Sequence, residues 1–183
     1  MAGRTLAETR FLRLVERDGW FFVERPNCSG VVTVVPLTRE GKLIFVEQFR
    51  PPLQRRVIEF PAGLMGDEPG HEAEDPVRAA RRELREETGY EARNLELVSS
   101  SATSAGMANE LVHFVLAWNL DRVGSGGGID GEDIVVHEVA LAEAATWLRK
   151  REAEGLLLAA KLYAGLYFAG ERWGASGQGA PSQ

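Results

Sequence analysis

Arg82-Glu83-Leu84-Arg85-Glu86-Glu87-Thr88-Gly89-Tyr90 sets three carboxylates on one face of a helix and ends that helix with a glycine. Glu83, Glu86 and Glu87 stand at i, i+3 and i+4, so their side chains lie one above another with roughly 5–6 Å between Cβ atoms. On a solvated surface each like-charge pair costs only about 0.2–0.5 kcal/mol. Held roughly 6 Å apart at an effective dielectric near 20, the same pair costs about 3 kcal/mol by Coulomb's law. Burial therefore decides between two readings: a solvated acidic face, common on Glu-rich amphipathic helices, and a cluster that needs a cation.

Working outward, Val77, Ala80 and Leu84 form an apolar stripe at i, i+3 and i+7, which docks the helix and draws the neighbouring acidic face toward a cleft. Asp75 before Pro76 supplies an N-cap followed by proline at the first helical position, and Gly89 suits a left-handed C-terminal cap. Hard oxygen ligands at this density suit magnesium or manganese, since no cysteine or histidine cluster competes for a softer metal.

Upstream lie Glu59-Phe60-Pro61-Ala62-Gly63, a loop to Glu74, and seven residues to Arg82. With these residues in place the chain resembles the Nudix hydrolase family. The family's box is a glycine, five residues, a glutamate, seven residues, then Arg-Glu-apolar-x-Glu-Glu-x-Gly-apolar, and the match is complete from Glu74 to Tyr90. Between Gly63 and Glu74 ten residues intervene instead of five, so the loop over 64–73 is extended. Such an insertion is cheap, because doubling a flexible loop adds only about 0.6 kcal/mol of closure entropy.

The resemblance implies roles for particular residues. Glu83 and Glu87 are expected as direct metal ligands, Glu86 as a further ligand or a water-mediated contact with a catalytic part, and the Ala62 carbonyl as completing one coordination shell. Arg82 is expected to pair with a box carboxylate and fix its rotamer; the alternative is an ordinary surface ion pair, which is worth little. A general base often comes from a separate loop in this family. Asp130-Gly131-Glu132-Asp133-Ile134 resembles the acidic loop of the ADP-ribose pyrophosphatase branch, with Glu132 the first candidate for base and metal contact and Asp130 the second. The plain alternative is a hydrophilic loop.

Resemblance to that branch extends through Val46-Glu47-Gln48-Phe49-Arg50, Val57 to Gly63, and Ser104-Ala105-Gly106-Met107 with Glu110, spanning about residues 8–170. Ala105 stands where the branch usually carries proline. The substrate side is expected to include Arg50, Glu59, Met107, Trp20 and Phe22. Arg50 either meets the diphosphate or bridges to Glu59, and Trp20 and Phe22 either stack on a base or simply pack. The implied activity is magnesium-dependent hydrolysis of ADP-ribose or a related nucleoside diphosphate sugar. GDP-mannose or another sugar nucleotide is the enzymatic alternative, and a non-catalytic nucleotide-binding Nudix module is the alternative of a different class. Related enzymes dimerise through N-terminal strands, so a homodimer is expected.

The 183 residues, 44% of them hydrophobic, suffice for one domain core with an appended element. Lys and Arg number 21 against 27 Asp and Glu, a net charge of −6, with no dense basic run, so nucleic acid is not an expected partner. An acidic protein still binds a diphosphate if divalent cations bridge the like charges. The single Cys28 excludes an intramolecular disulfide, residues 1–10 lack an apolar signal core, and the most apolar C-terminal run is broken by Lys161. These point to the cytoplasm and away from a membrane.

Asp18-Gly19 between residues 11–17 and 20–25 predicts a β-hairpin with a type I′ turn. Residues 31–37 and 42–49 predict a second strand pair around Glu40-Gly41, and 57–60 a short strand leading into the metal loop. A helix over 75–88, strands over 96–101, 110–120 and 134–139, and helices over 141–152 and 156–168 follow. Gly124 to Gly128 lacks the Gly-Lys-Ser/Thr ending of a P-loop. Mixed strands with few helices give an α+β chain, and the resemblance implies a Nudix-type α/β/α sandwich preceded by the N-terminal hairpin. The expected organisation is a dimerising element over 1–30, a catalytic domain over 31–173 and a mobile tail over 174–183.

Overall fold

Every residue of the run Gly-Val-Val-Thr-Val-Val-Pro-Leu at 30–37 is buried, which a strand achieves only inside a sheet covered on both faces. The computed structural model describes residues 3–67, 74–128 and 133–175. Along the chain come β1 (Arg4–Glu8), β2 (Arg13–Arg17), β3 (Trp20–Glu24), β4 (Gly30–Leu37), β5 (Lys42–Arg50), β6 (Arg55–Glu59) and β7 (Ala62–Met65). Then follow α1 (Pro76–Thr88), β8 (Tyr90–Ala102), β9 (Leu111–Arg122), β10 (Ile134–Ala140), α2 (Leu141–Ala153), β11 (Leu157–Leu158) and α3 (Lys161–Ala175).

The period-2 alternation of β4 sorts its side chains between two cores. Val31, Val35 and Leu37 join Leu43, Phe45, Phe114 and Leu116 on one face, where α2 and α3 cover them with Leu148, Leu162 and Ala169. Val32 and Val34 join Ile44, Val115 and Ala117 on the other, beneath Ala79, Ala80 and Leu84 of α1. One helix on one face and two on the other make the expected α/β/α sandwich. The main sheet runs β11-β6-β5-β4-β9-β8, with β10 on β5 and β7 on β4.

Around Gly41 (φ 74°) the predicted pair of 31–37 and 42–49 does form, yet its register consists of Leu37↔Leu43 alone before the strands diverge. One edge of β4 is occupied by β9 in parallel from Val31↔Val112 to Leu37↔Trp118, and one edge of β5 by β10. The remaining edges open as a fork, in which β6 takes β5 (Val46↔Glu59) and β7 takes β4 (Thr33↔Ala62). Phe60 and Pro61 cross between the prongs, anchored by the Val34 N–H donating to the Pro61 carbonyl at 2.8 Å. The fork is what presents Glu59 to Gly63 to the acidic helix.

Four expectations need correction. β1 adds a third antiparallel strand to the N-terminal hairpin, whose turn has Asp18 at φ 53° and Gly19 at φ 79° as a type I′ turn requires. Residues 62–65, read as loop, pair as a strand. β8 begins at Tyr90, not 96, because β9 supplies a ladder along its length from Tyr90↔Arg122 onward. Residues 157–158 pair in parallel with Val57 and Ile58, so the last helix starts at Lys161, not 156, and runs through Gly174 and Ala175 into the expected tail. Residues 176–183 lie outside the described residues.

Candidate metal and diphosphate site

Helix α1 is bracketed as its sequence predicts. The Asp75 carboxylate accepts from the Val77 and Arg78 N–H groups, and Gly89 adopts φ 72° with its N–H donating to the Arg85 carbonyl. Thr88 Oγ1 also donates to the Leu84 carbonyl. The acidic face is not solvated: Glu83 is 9% exposed and Glu87 5%. Glu87 Oε2 accepts the Ala62 N–H at 3.2 Å, which joins the helix to the fork. Glu83 lies against Gly63 so closely that a Cβ there would stand 1.9 Å from its Oε1. Burial pushes the Glu83 carboxyl up to about 7; Arg82 opposes the rise and Glu86 adds to it.

Arg82 is no ordinary surface partner. Its Nη1 donates to Glu83 at 2.7 Å and to Glu86 at 3.3 Å, and its Nη2 to the Leu64 carbonyl at 3.1 Å and to Glu74 at 3.2 Å. Burial works against its charge, but Glu74 and Glu83 outweigh that and hold it above the ordinary arginine value. The first glutamate of the motif, Glu74, thus anchors Arg82.

Among the described residues no three carboxylate, imidazole or thiol groups already converge on one point. Arg82 engages Glu83 and Glu86, while the Ala62 N–H engages Glu87. The donor set nevertheless fits a hard divalent cation: it is all oxygen, two of its carboxylates are buried, one is raised by that burial, and Gly63 leaves the space that a side chain would fill.

The glycine run at 124–128 has a structural part that its composition did not reveal. Gly127 N–H donates to the Glu87 carbonyl at 2.8 Å and Gly128 N–H to the Glu86 carbonyl at 3.1 Å, so the run caps the C-terminal carbonyls of α1. Gly126 has φ 67°, and a Cβ on it would stand 2.3 Å from the Thr88 carbonyl carbon. Gly126→Ala is therefore expected to cost about 2 kcal/mol or more and to lower the melting temperature by several degrees, read by calorimetry.

Asp130 and Glu132 lie outside the described residues, but both ends of their segment are placed. Gly128 is tied to Glu86 as above. At the other end Asp133 Oδ2 accepts from Arg56 Nη1 at 2.6 Å, and Arg56 Nε donates to Glu47 at 2.6 Å. Burial would raise the Glu47 carboxyl, but hydrogen bonds from Arg56 and His137 hold it below the ordinary range.

A cleft of about 610 Å³ opens beside the fork, with Ala62, Gly63, Glu59 and Arg50 among its lining. Arg50 Nε donates to Glu59 Oε2 at 2.6 Å, so of the two roles expected for Arg50 the bridge to Glu59 is the one seen. Arg25, Glu110 and Lys161 also line the cleft, and no motif in the sequence marks a role for any of them. Lys161 carries no sequence signal that separates it from a surface lysine. Trp20, Phe22 and Met107 are not among the cleft's described lining residues. Trp20 is 67% exposed, the Arg17 guanidinium lies over the Phe22 ring at 5.2 Å, and the Met107 carbonyl accepts the Val23 N–H at 2.8 Å. Met107 thus pins the N-terminal sheet to the main domain through its backbone.

Two buried glutamates of one helix lie against the Ala62–Gly63 strand, and residues 29–163 match the NUDIX domain family; the chain belongs to that family. It is 41% identical over 124 residues to an ADP-ribose pyrophosphatase of Bacillus subtilis (strain 168), and 38% identical over 123 residues to a methanol dehydrogenase activator of Bacillus methanolicus. Each match covers 67% of this chain and spans 64% of the relative's length. A solved structure described as an ADP compounds hydrolase superposes with a TM-score of 0.73 at 21% identity, covering 97% of this chain and 95% of that one, which supports the fold. No helix among the described residues is long and apolar enough to cross a membrane.

Proposed function

We propose that the chain is a divalent-metal-dependent pyrophosphohydrolase that cleaves the diphosphate of ADP-ribose or a related nucleoside diphosphate sugar, giving a nucleoside monophosphate and a sugar phosphate. The observation that carries this reading is the buried pair Glu83 and Glu87 set against Ala62 and Gly63 at the edge of a 610 Å³ cleft. Identity to the ADP-ribose pyrophosphatase of B. subtilis favours that substrate over GDP-mannose.

Glu83 and Glu87, with Glu86 and the Ala62 carbonyl, would hold magnesium or manganese. When bound, such an ion neutralises phosphoryl oxygens, orients the diphosphate and lowers the pKa of a water. Arg82 holds Glu83 and Glu86 in place from Glu74. Glu59 fixes the Arg50 guanidinium at the cleft wall, where its remaining N–H groups would donate to a phosphoryl oxygen of bound substrate. The segment bearing Glu132 and Asp130, tethered at Gly128 and Asp133, supplies the general base, with Glu132 the first choice. Glu132→Gln is expected to lower kcat on the order of a hundredfold while Asp130→Asn has the smaller effect; normal kcat in both variants rules the segment out as the source of the base.

The N-terminal sheet exposes Leu6, Phe11, Leu12, Leu14, Trp20 and Phe21, an apolar surface suited to pairing with a second copy in a cytoplasmic homodimer. Light scattering on the eluting protein tests the dimer, and a clean monomer contradicts it. The activity is tested by magnesium-dependent release of AMP from ADP-ribose, screened beside GDP-mannose and other nucleotide sugars. Hydrolysis of none of them with either metal overturns the reading.

A further inference from the structure

Three cationic side chains line the cleft, and two are already matched. Arg50 is held by Glu59 and Arg25 by Glu110, each through Nε at 2.6 Å. Arg82, beneath the cleft wall, is taken up by three carboxylates. The third lining cation, Lys161, has no carboxylate within ion-pair distance among the described residues.

The backbone fixes Lys161 in this position. It opens α3 directly after β11, where the Ala159 N–H donates to the Ile58 carbonyl at 3.0 Å, and Leu162 beside it is fully buried. Burial pushes the ammonium below the ordinary lysine pKa, with Glu59 acting against the shift. A cation withdrawn from water without a hydrogen-bonded counter-ion is costly. A site that keeps one at a cleft wall shared with Ala62 and Gly63 has its missing anion supplied from outside.

We propose that Lys161 is a substrate-binding residue, its ammonium donating to a phosphoryl oxygen of the bound nucleoside diphosphate sugar. This rests on the substrate class given above. An ammonium, compact and with three donors, suits a phosphate oxygen as a point charge. Its role is distinct from that of Arg50, whose Nε is committed to Glu59. Lys161 therefore makes its strongest contact only when substrate is present.

The test is calorimetric binding of the non-hydrolysable α,β-methylene analogue of ADP-ribose, with magnesium, to the wild type and to Lys161→Met, Lys161→Gln and Lys161→Arg. The two neutral variants are expected to bind roughly ten- to a hundredfold more weakly, and the arginine variant within about fivefold of wild type. Melting temperatures of the two ligand-free neutral variants are expected to hold or rise, since a desolvated charge is removed. Two independent neutral variants keep the test decisive if one fails to fold. Wild-type affinity in either neutral variant overturns the assignment. So does a lowered melting temperature shared by all three variants, which marks a structural lysine. A wild type that does not bind the analogue overturns the substrate class itself, a result separate from failure of Lys161 alone.

Discussion

Glu87→Gln is expected to lower kcat for ADP-ribose by on the order of a thousandfold while leaving the fold intact. The amide oxygen of glutamine still accepts the Ala62 N–H, so the contact between helix and fork survives. What is lost is one buried negative charge from a set that has to outweigh the hydration of a divalent ion. Several kcal/mol of transition-state stabilisation at about 1.4 kcal/mol per decade sets the scale. Glu83→Gln is expected to match it. Steady-state rates across a magnesium titration, together with melting temperatures, provide the check. Near-normal turnover in both variants at saturating metal contradicts the site assignment.

Gly63→Ala is expected to have the next largest effect, roughly a hundredfold loss of kcat/KM with weakened metal affinity. The new methyl would fall 1.9 Å from Glu83 Oε1 and 2.1 Å from its Cδ, so the carboxylate must swing out of the position that burial and Arg82 give it. Because the displaced group is the end of a flexible side chain, and β7 keeps its pairing of Gly63 with Val32, folding is expected to survive. Manganese titration followed by electron paramagnetic resonance separates this from a stability defect. Unchanged manganese affinity in the alanine variant argues that Glu83 does not act from this position.

The acidic helix was legible in the sequence because its signals are local. Asp75-Pro76 and Gly89 mark its ends, and the 3.6-residue period places Leu84 in the core with Glu83 and Glu87 beside it. The layered fold was reachable from the resemblance, and the β-branched run Val-Val-Thr-Val-Val at 31–35 agrees with a strand covered on both faces. Long-range pairing was not legible. Residues 62–65 look like a loop in isolation and become a strand only because β4, paired with β5 at Leu37 alone, leaves an edge open over residues 30–33. The alternation of Tyr90-Glu91-Ala92-Arg93 breaks at Asn94 and is too short to mark a strand directly behind a helix, yet β9 extends the ladder back to Tyr90. Helix α3 was started too early because Leu157 and Leu158 continue its apolar pattern while pairing instead with β6.

At the site, the same division holds. Glu83, Glu86, Glu87 and Arg82 stand out from spacing and motif; Arg82 bonds to Glu83 and Glu86, and Glu87 accepts the Ala62 N–H. The capping of α1 by Gly127 and Gly128 spans about forty residues of chain and has no local signature beyond the glycines themselves. Lys161 and Glu110 reach the cleft through the crossovers that bring β11, β9 and the fork together, which no local pattern encodes.

The most direct test of the central claim is anomalous diffraction from crystals soaked with manganese and the α,β-methylene analogue. The account predicts an anomalous peak coordinated by Glu83 and Glu87 at the Ala62–Gly63 strand, with the diphosphate bridging from it into the cleft. Crystals with the analogue bound and no peak at those carboxylates, or with a peak elsewhere, would contradict it.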